Sequence, residues 1–163
     1  MNIEVRDYIS VSEKLKSFGV SVPDGLVILP DNLAAAKSVN DLRQYAESDT
    51  VRTLLKEHKI AYVEIFDEDN QPPYLQQYSF EWFGPTLLIS ANLLWQDPNL
   101  LSVTLGVVTN YLYDLFKGTP DGKASLDIVL QEADGCCKQI HYSGPPDGLE
   151  KVAEVVKKLM EKQ

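Results

Sequence analysis

Residues 126–142 read LDIVLQEADGCCKQIHY, and the alternation in this stretch decides the fold. Leu126, Ile128 and Leu130 fall on one side of an extended chain, and Asp127, Val129 and Gln131 fall on the other. Ile140 and Tyr142 resume the alternation on the return. Between the two runs, Ala133-Asp134-Gly135 offers a three-residue loop with Gly135 at the left-handed position of a type I turn with a bulge. That register sets Ile128 opposite Ile140 and Leu126 opposite Tyr142 on one face, with Asp127 opposite His141 on the other. A two-residue Asp-Gly turn would set Ile128 opposite His141 and mix the faces. The three-residue loop is therefore expected, because a slipped register moves a whole apolar set to the wrong side.

Downstream of the hairpin, Asp147 and Glu150 read as a helix cap, and Leu149, Val152, Val156 and Leu159 form an apolar stripe at helical spacing. Upstream, Asp97 followed by Pro98 opens a central helix that closes at Gly118. Its apolar residues (Leu101, Val103, Leu105, Val107, Val108, Leu112, Leu115) leave little polar face, so burial between a sheet and other helices is predicted. Leu100 to Phe116 is broken by Ser102, Thr104, Thr109, Asn110 and Asp114, and falls short of the ~20 residues that cross a bilayer.

Earlier in the chain, Leu26–Leu29, Ala61–Phe66, Tyr78–Trp82 and Thr86–Ser90 read as strands, with Gly84-Pro85 breaking the last two apart. Ser10 with Glu13 caps a first helix that Gly19 stops. Ser38 with Asp41 opens a second, and Ser48-Asp49 a third carrying Val51, Leu54 and Leu55. The stretches Pro30–Ile60 and Asn92–Ala124 are long enough for parallel crossovers. The expected architecture is α/β or α+β: a mixed sheet of about five to six strands, helices packed on it, and a C-terminal β-hairpin followed by an amphipathic helix. Nothing in the middle reads as a linker, so residues 1–163 are expected to form a single globular domain.

The charge balance narrows the function classes. There are 24 acidic and 15 basic residues, a formal net charge of −9, and the lysines of the last helix alternate with glutamates. No basic stripe exists to neutralise phosphates, so no nucleic-acid partner is expected. The N-terminal twenty residues lack an unbroken apolar run, which argues against a signal peptide, and no membrane partner is expected. Cys136 and Cys137 are adjacent, a spacing unsuited to a disulfide framework or a zinc site, and this points to a reducing, cytoplasmic location.

Four groups of residues could carry chemistry. Asp127 opposite His141 is the one acid–imidazole pairing the register implies, a candidate catalytic pair in which the carboxylate would orient a general base. Asp31, Asp67 and Asp69 follow predicted strands, where open parallel sheets bind ligands, and would suit a divalent cation; no other cofactor is implied. Ser90 and Asn92 follow a strand in the same way. The Asp67–Asn70 run opens like a calcium loop but lacks the central glycine, and Tyr78 stands where the closing glutamate belongs. Tyr74, Tyr78 and Trp82 are candidates for partner binding, in an aromatic segment bracketed by Pro72-Pro73 and Gly84-Pro85. The segment would serve a protein partner or self-association. With no nucleophile elbow and no phosphate-binding glycine loop, the chain reads as a non-catalytic interaction or regulatory module. A metal-dependent hydrolase using the strand-end carboxylates is the alternative.

Overall fold

The computed structural model describes residues 1–22, 24–75, 81–119 and 121–162. Along the chain come β1 (Asn2–Tyr8), α1 (Val11–Ser17), β2 (Val27–Leu29), β3 (Gln44–Tyr45), α2 (Glu47–Glu57) and β4 (Tyr74–Leu75). They are followed by β5 (Trp82–Ser90), α3 (Ala91–Gln96), α4 (Leu100–Leu115), β6 (Ala124–Gln131), β7 (Cys137–Gly144) and α5 (Glu150–Glu161). A five-stranded sheet has the order β1-β7-β6-β5-β2, and β3 and β4 form a separate two-stranded sheet. Only β5 and β6 run parallel in the large sheet, joined by the crossover through α3 and α4; its other neighbours are antiparallel. The fold is a mixed sheet with helices packed on it.

The hairpin forms in the predicted register. Ile128 pairs with Ile140, Leu126 with Tyr142 and Asp127 with His141. Gly135 has φ +89°, and its N–H donates to Glu132 O at 2.9 Å, closing the three-residue loop. The alternation then sorts the sheet into two faces. Leu126, Ile128, Leu130, Ile140, Leu87 and Ile89 meet α2, α4 and α5 in the larger core. Val27, Leu29, Leu88, Val129 and Cys137 meet Val11 and Leu15 of α1 and the loop residues Leu33, Ala36 and Leu42 in the smaller one.

Several expectations need correction. β1 carries Glu4, Arg6 and Asp7 in seven residues and buries none of them, so it gives no apolar signal; its place at the sheet edge makes it a strand. Ala61–Phe66 is not a strand: Val63 makes one parallel bridge to Val27 and donates its N–H to Leu26 O at 2.8 Å, and no ladder extends from there. The first expected parallel crossover is thus reduced to that bridge. Gly84-Pro85 does not end a strand, because β5 runs through it with a bulge between Phe83 and Thr86. A Cβ on Gly84 would lie 2.4 Å from Trp82 Cζ3 and 2.8 Å from Leu126 Cδ1, so glycine is what lets the Trp82 ring fold over the strand. Tyr78 and its neighbours 76–80 fall outside the described residues.

The helices also differ in detail. Ser90 Oγ accepts from Leu93 N–H at 3.0 Å and caps α3, which the sequence reading missed. Ser38 and Asp41 frame a 3-10 turn, with Asp41 accepting from Ser38 N–H at 3.2 Å. Ser48 lies inside the first turn of α2, fully buried, and its hydroxyl has no hydrogen-bond partner among the described residues. α4 buries Leu101, Thr104, Leu105, Val108, Thr109 and Leu112, while Val103, Tyr113 and Leu115 face outward. It is a one-sided layer, because among the described residues no further element covers its back. The two buried threonines are satisfied by donating to carbonyls one turn earlier, Leu100 O and Leu105 O, both at 2.8 Å. No helix among the described residues is long and apolar enough to cross a membrane.

Leu105 is completely buried where α4 meets the sheet. Leu105→Ala is expected to lower the unfolding free energy by roughly 2–5 kcal/mol in urea denaturation, through lost transfer energy and the cavity left behind.

Candidate functional site

The face of the sheet opposite the three long helices is divided. Its upper part is apolar and covered by α1. Its lower part carries a row of polar side chains crossing four strands, since Glu4, His141, Asp127 and Thr86 are successive cross-strand partners. The row continues past β2: the Thr86 hydroxyl donates to Asp31 Oδ1 at 3.1 Å. Period-two alternation on four paired strands puts these groups side by side although they are far apart in sequence.

His141 and Asp127 make the contact that the register implied. Nδ1 of the imidazole and Oδ1 of the carboxylate are 2.7 Å apart, with side chains 30% and 22% exposed. The carboxylate fixes the ring's orientation, as a general base requires. Among the described residues neither group hydrogen-bonds to a serine, cysteine or lysine, so the pair stands without a nucleophile held beside it.

Asp31 is the most perturbed carboxyl. Its Oδ2 accepts from Tyr45 N–H at 2.7 Å and its backbone N–H donates to Arg43 O at 2.9 Å, which tie β2 to β3. Burial pushes its pKa up to about 7, against the hydrogen bonds from Tyr45 and Thr86, with the Asp127 charge adding to the rise. Tyr8 is pushed up to about 12, first by burial and then by Asp127 and Asp31. The Tyr45 hydroxyl is raised for the same reasons, with Glu81 as a further charge.

The other two carboxylates of the expected cation site stand apart from Asp31. Asp67 and Asp69 are exposed in the loop after Phe66, and Asp67 Oδ1 accepts from Asn70 Nδ2 at 2.5 Å. Among the described residues no three His, Cys, Asp or Glu side chains are gathered closely enough to hold a metal ion. Asp31 therefore works with Thr86 and Tyr45, and Asp67 with Asn70. Asn32 is likewise structural, accepting from Arg43 N–H and donating to Asp41 O, both at 2.7 Å.

The aromatic segment is split by the fold. Trp82 is 4% exposed, its Nε1–H donates to Glu47 Oε2 at 2.8 Å, and its ring meets Tyr111 at 6.5 Å. Trp82 is a core residue. Tyr74 is half exposed on β4 and its hydroxyl donates to Asp49. Tyr78 lies outside the described residues.

A feature that sequence reading missed lies where β3, the start of β5 and the end of α4 meet. There a cleft of about 390 Å³ is walled by Tyr45, Phe83, Leu115 and Phe116 and carries two carboxylates, Glu47 and Glu81. The Tyr45 and Phe83 rings are 5.5 Å apart and inclined at 35°. None of the described residues lining the cleft is basic. Glu81 accepts from Ser143 Oγ at 3.4 Å and belongs to the polar side of the sheet as well. Tyr45 is shared by both features, holding Asp31 through its backbone and lining the cleft with its ring. Tyr45 and Glu47 come from the middle of the chain and Phe116 from the far end of α4, so no local motif announced them.

The raised pKa of Asp31 has a pH signature. Its folded value, about 7, lies above the unfolded value of 3.8, so the stabilisation is complete below the unfolded value and is lost as pH rises through the folded one. Asp31→Asn removes the titrating group and leaves an amide oxygen to accept from Tyr45 N–H and an amide nitrogen to donate to the Thr86 hydroxyl, at the expense of the bond from Thr86 N–H. Between about pH 4 and about pH 8 the wild type should lose on the order of 3 kcal/mol relative to this variant in urea denaturation. A difference that is flat with pH would show that Asp31 stays ionised.

With the geometry established, comparison with protein-family models, with curated proteins and with solved structures finds no match.

Proposed function

We propose that the chain is a non-catalytic protein-interaction module that seats a lysine or arginine side chain of a basic partner segment in the Tyr45–Phe83 cleft. The observation that carries this reading is the composition of the cleft: inclined aromatic rings, two carboxylates and no cation among its described lining residues. A cation over an aromatic face gains from the ring quadrupole, and carboxylates at the rim supply the opposite charge. The net charge of −9 adds a long-range field that draws basic partners to the surface and speeds encounter. Tyr74, half exposed and next to Leu75 of the cleft wall, extends the surface with a further ring. The two free thiols, Cys136 and Cys137, fit a reducing compartment such as the cytoplasm.

The reading is tested with a fluorescein-labelled peptide of alternating lysine and glycine, followed by anisotropy. Saturable binding that weakens with added salt is expected, with roughly tenfold loss of affinity in Tyr45→Ala and in Glu81→Gln. Circular dichroism checks that both variants are folded. A peptide held equally well by the wild type and by both variants would be responding to overall acidity, and the cleft would lose its role.

A further inference from the structure

β1 stands at the edge of the large sheet. It pairs with β7 on one side, and among the described residues no strand pairs with its other side. Such an edge presents unpaired N–H and C=O groups, and proteins commonly blunt it with proline, a bulge or a very short strand. β1 has none of these and carries charges instead, Glu4, Arg6 and Asp7: it is seven residues long, contains no proline, and keeps an unbroken register with β7 from Asn2 to Tyr8. Val5, at its centre, is 45% exposed. Glu4 and Arg6 flank Val5 on the opposite face, and they pair with each other within the strand.

The sequence of this edge, NIEVRDY, is charge-complementary to itself when run antiparallel. With Val5 opposite Val5 of a second copy, Glu4 faces Arg6 and Arg6 faces Glu4, while Ile3 faces Asp7 and Asn2 faces Tyr8. The neighbouring registers fail. A slip by one pair in one direction sets Arg6 against Arg6, and in the other it sets Glu4 against Glu4. Like charges directly opposite each other destabilise an antiparallel pair and opposite charges stabilise it. The Val5-centred register also keeps residues of equal parity together, so the pleats of the two edges match and the helix-covered faces continue across the junction.

We propose that β1 is a self-association edge, through which two copies of the chain join about a two-fold axis at Val5 into one continuous sheet. The contact is isologous: each copy gives the same strand, and the two Glu4–Arg6 pairs are related by the axis. In the free chain Glu4 and Arg6 hold each other, and in the dimer each exchanges that partner for its counterpart in the other copy. The surface is separate from the Tyr45–Phe83 cleft, so peptide binding and self-association can be tested independently.

The test is sedimentation equilibrium on the full chain from micromolar to millimolar concentration. A monomer–dimer equilibrium is expected. Arg6→Glu and Glu4→Arg should each weaken the dimer by roughly tenfold or more, because each sets like charges face to face at both positions. The double variant with the two charges exchanged restores opposite pairs and should recover dimerisation. Hydrogen–deuterium exchange on the wild type gives a reading free of any substitution: amide protection in residues 2–8 should grow with protein concentration. A chain that stays monomeric across the range would overturn the proposal. So would a dimer indifferent to both single variants, or a double variant that fails to recover.

Discussion

The register between β6 and β7 is the constraint on which the remaining structure depends. Ile128 opposite Ile140 places the two most central apolar pairs under α4 and α5, and the same choice places Asp127 and His141 on the other face. A slip of one residue would invert one strand against the other, carrying Asp127 or His141 into the helix-covered core and pushing Ile128 or Ile140 onto the polar side. Burying that carboxylate without a partner would cost several kcal/mol, far more than any local turn preference can return. The parallel pairing of β6 with β5 then extends the sorting to Leu87, Leu88 and Thr86, and β1 extends it to Glu4.

A second constraint gathers the long irregular stretch between β2 and β5. Arg52 of α2 reaches Glu64 at 2.7 Å, Asp49 at 2.8 Å, Gln44 at 2.9 Å and Gln71 at 3.2 Å, with its own side chain only 12% exposed. Gln44 in turn donates to Pro72 O at 2.8 Å. A planar guanidinium with several donors can satisfy acceptors from separate loops at once, which an ammonium group cannot do as well. This hub fixes β3 against β4, and through β3 it sets where Tyr45 stands relative to Asp31 and Phe83. The cleft is therefore a product of loop anchoring as much as of the sheet.

Electrostatics links the two regions. Asp31, Asp127 and Glu81 all bear on Tyr45, and burial keeps Asp31 protonated up to near-neutral pH. As Asp31 ionises, negative charge appears beside the backbone that carries the Tyr45 ring. Over the same range the fold loses the stability that the protonated carboxyl contributes.

Features that depend on neighbours along the chain were legible in the residues alone. The hairpin, its three-residue loop, the Asp127–His141 contact, the cap at Ser10 and the amphipathic last helix follow from alternation, turn chemistry and capping, which act within a few residues. Whatever depends on the surroundings of an element was decided by tertiary structure alone. β1 is a strand because an edge lies open beside β7, although three of its seven residues are charged and none is buried. Ala61–Phe66, with strong strand character, makes a single bridge to β2 and builds no ladder on it. Trp82 reads as an interface residue and becomes core because Gly84 lets its ring fold over the strand towards Leu126. Tyr45, Glu47, Phe83 and Phe116 share a cleft only after three separate elements converge. Periodicity states which way a side chain points; what it meets there is set by chain segments that no local pattern encodes.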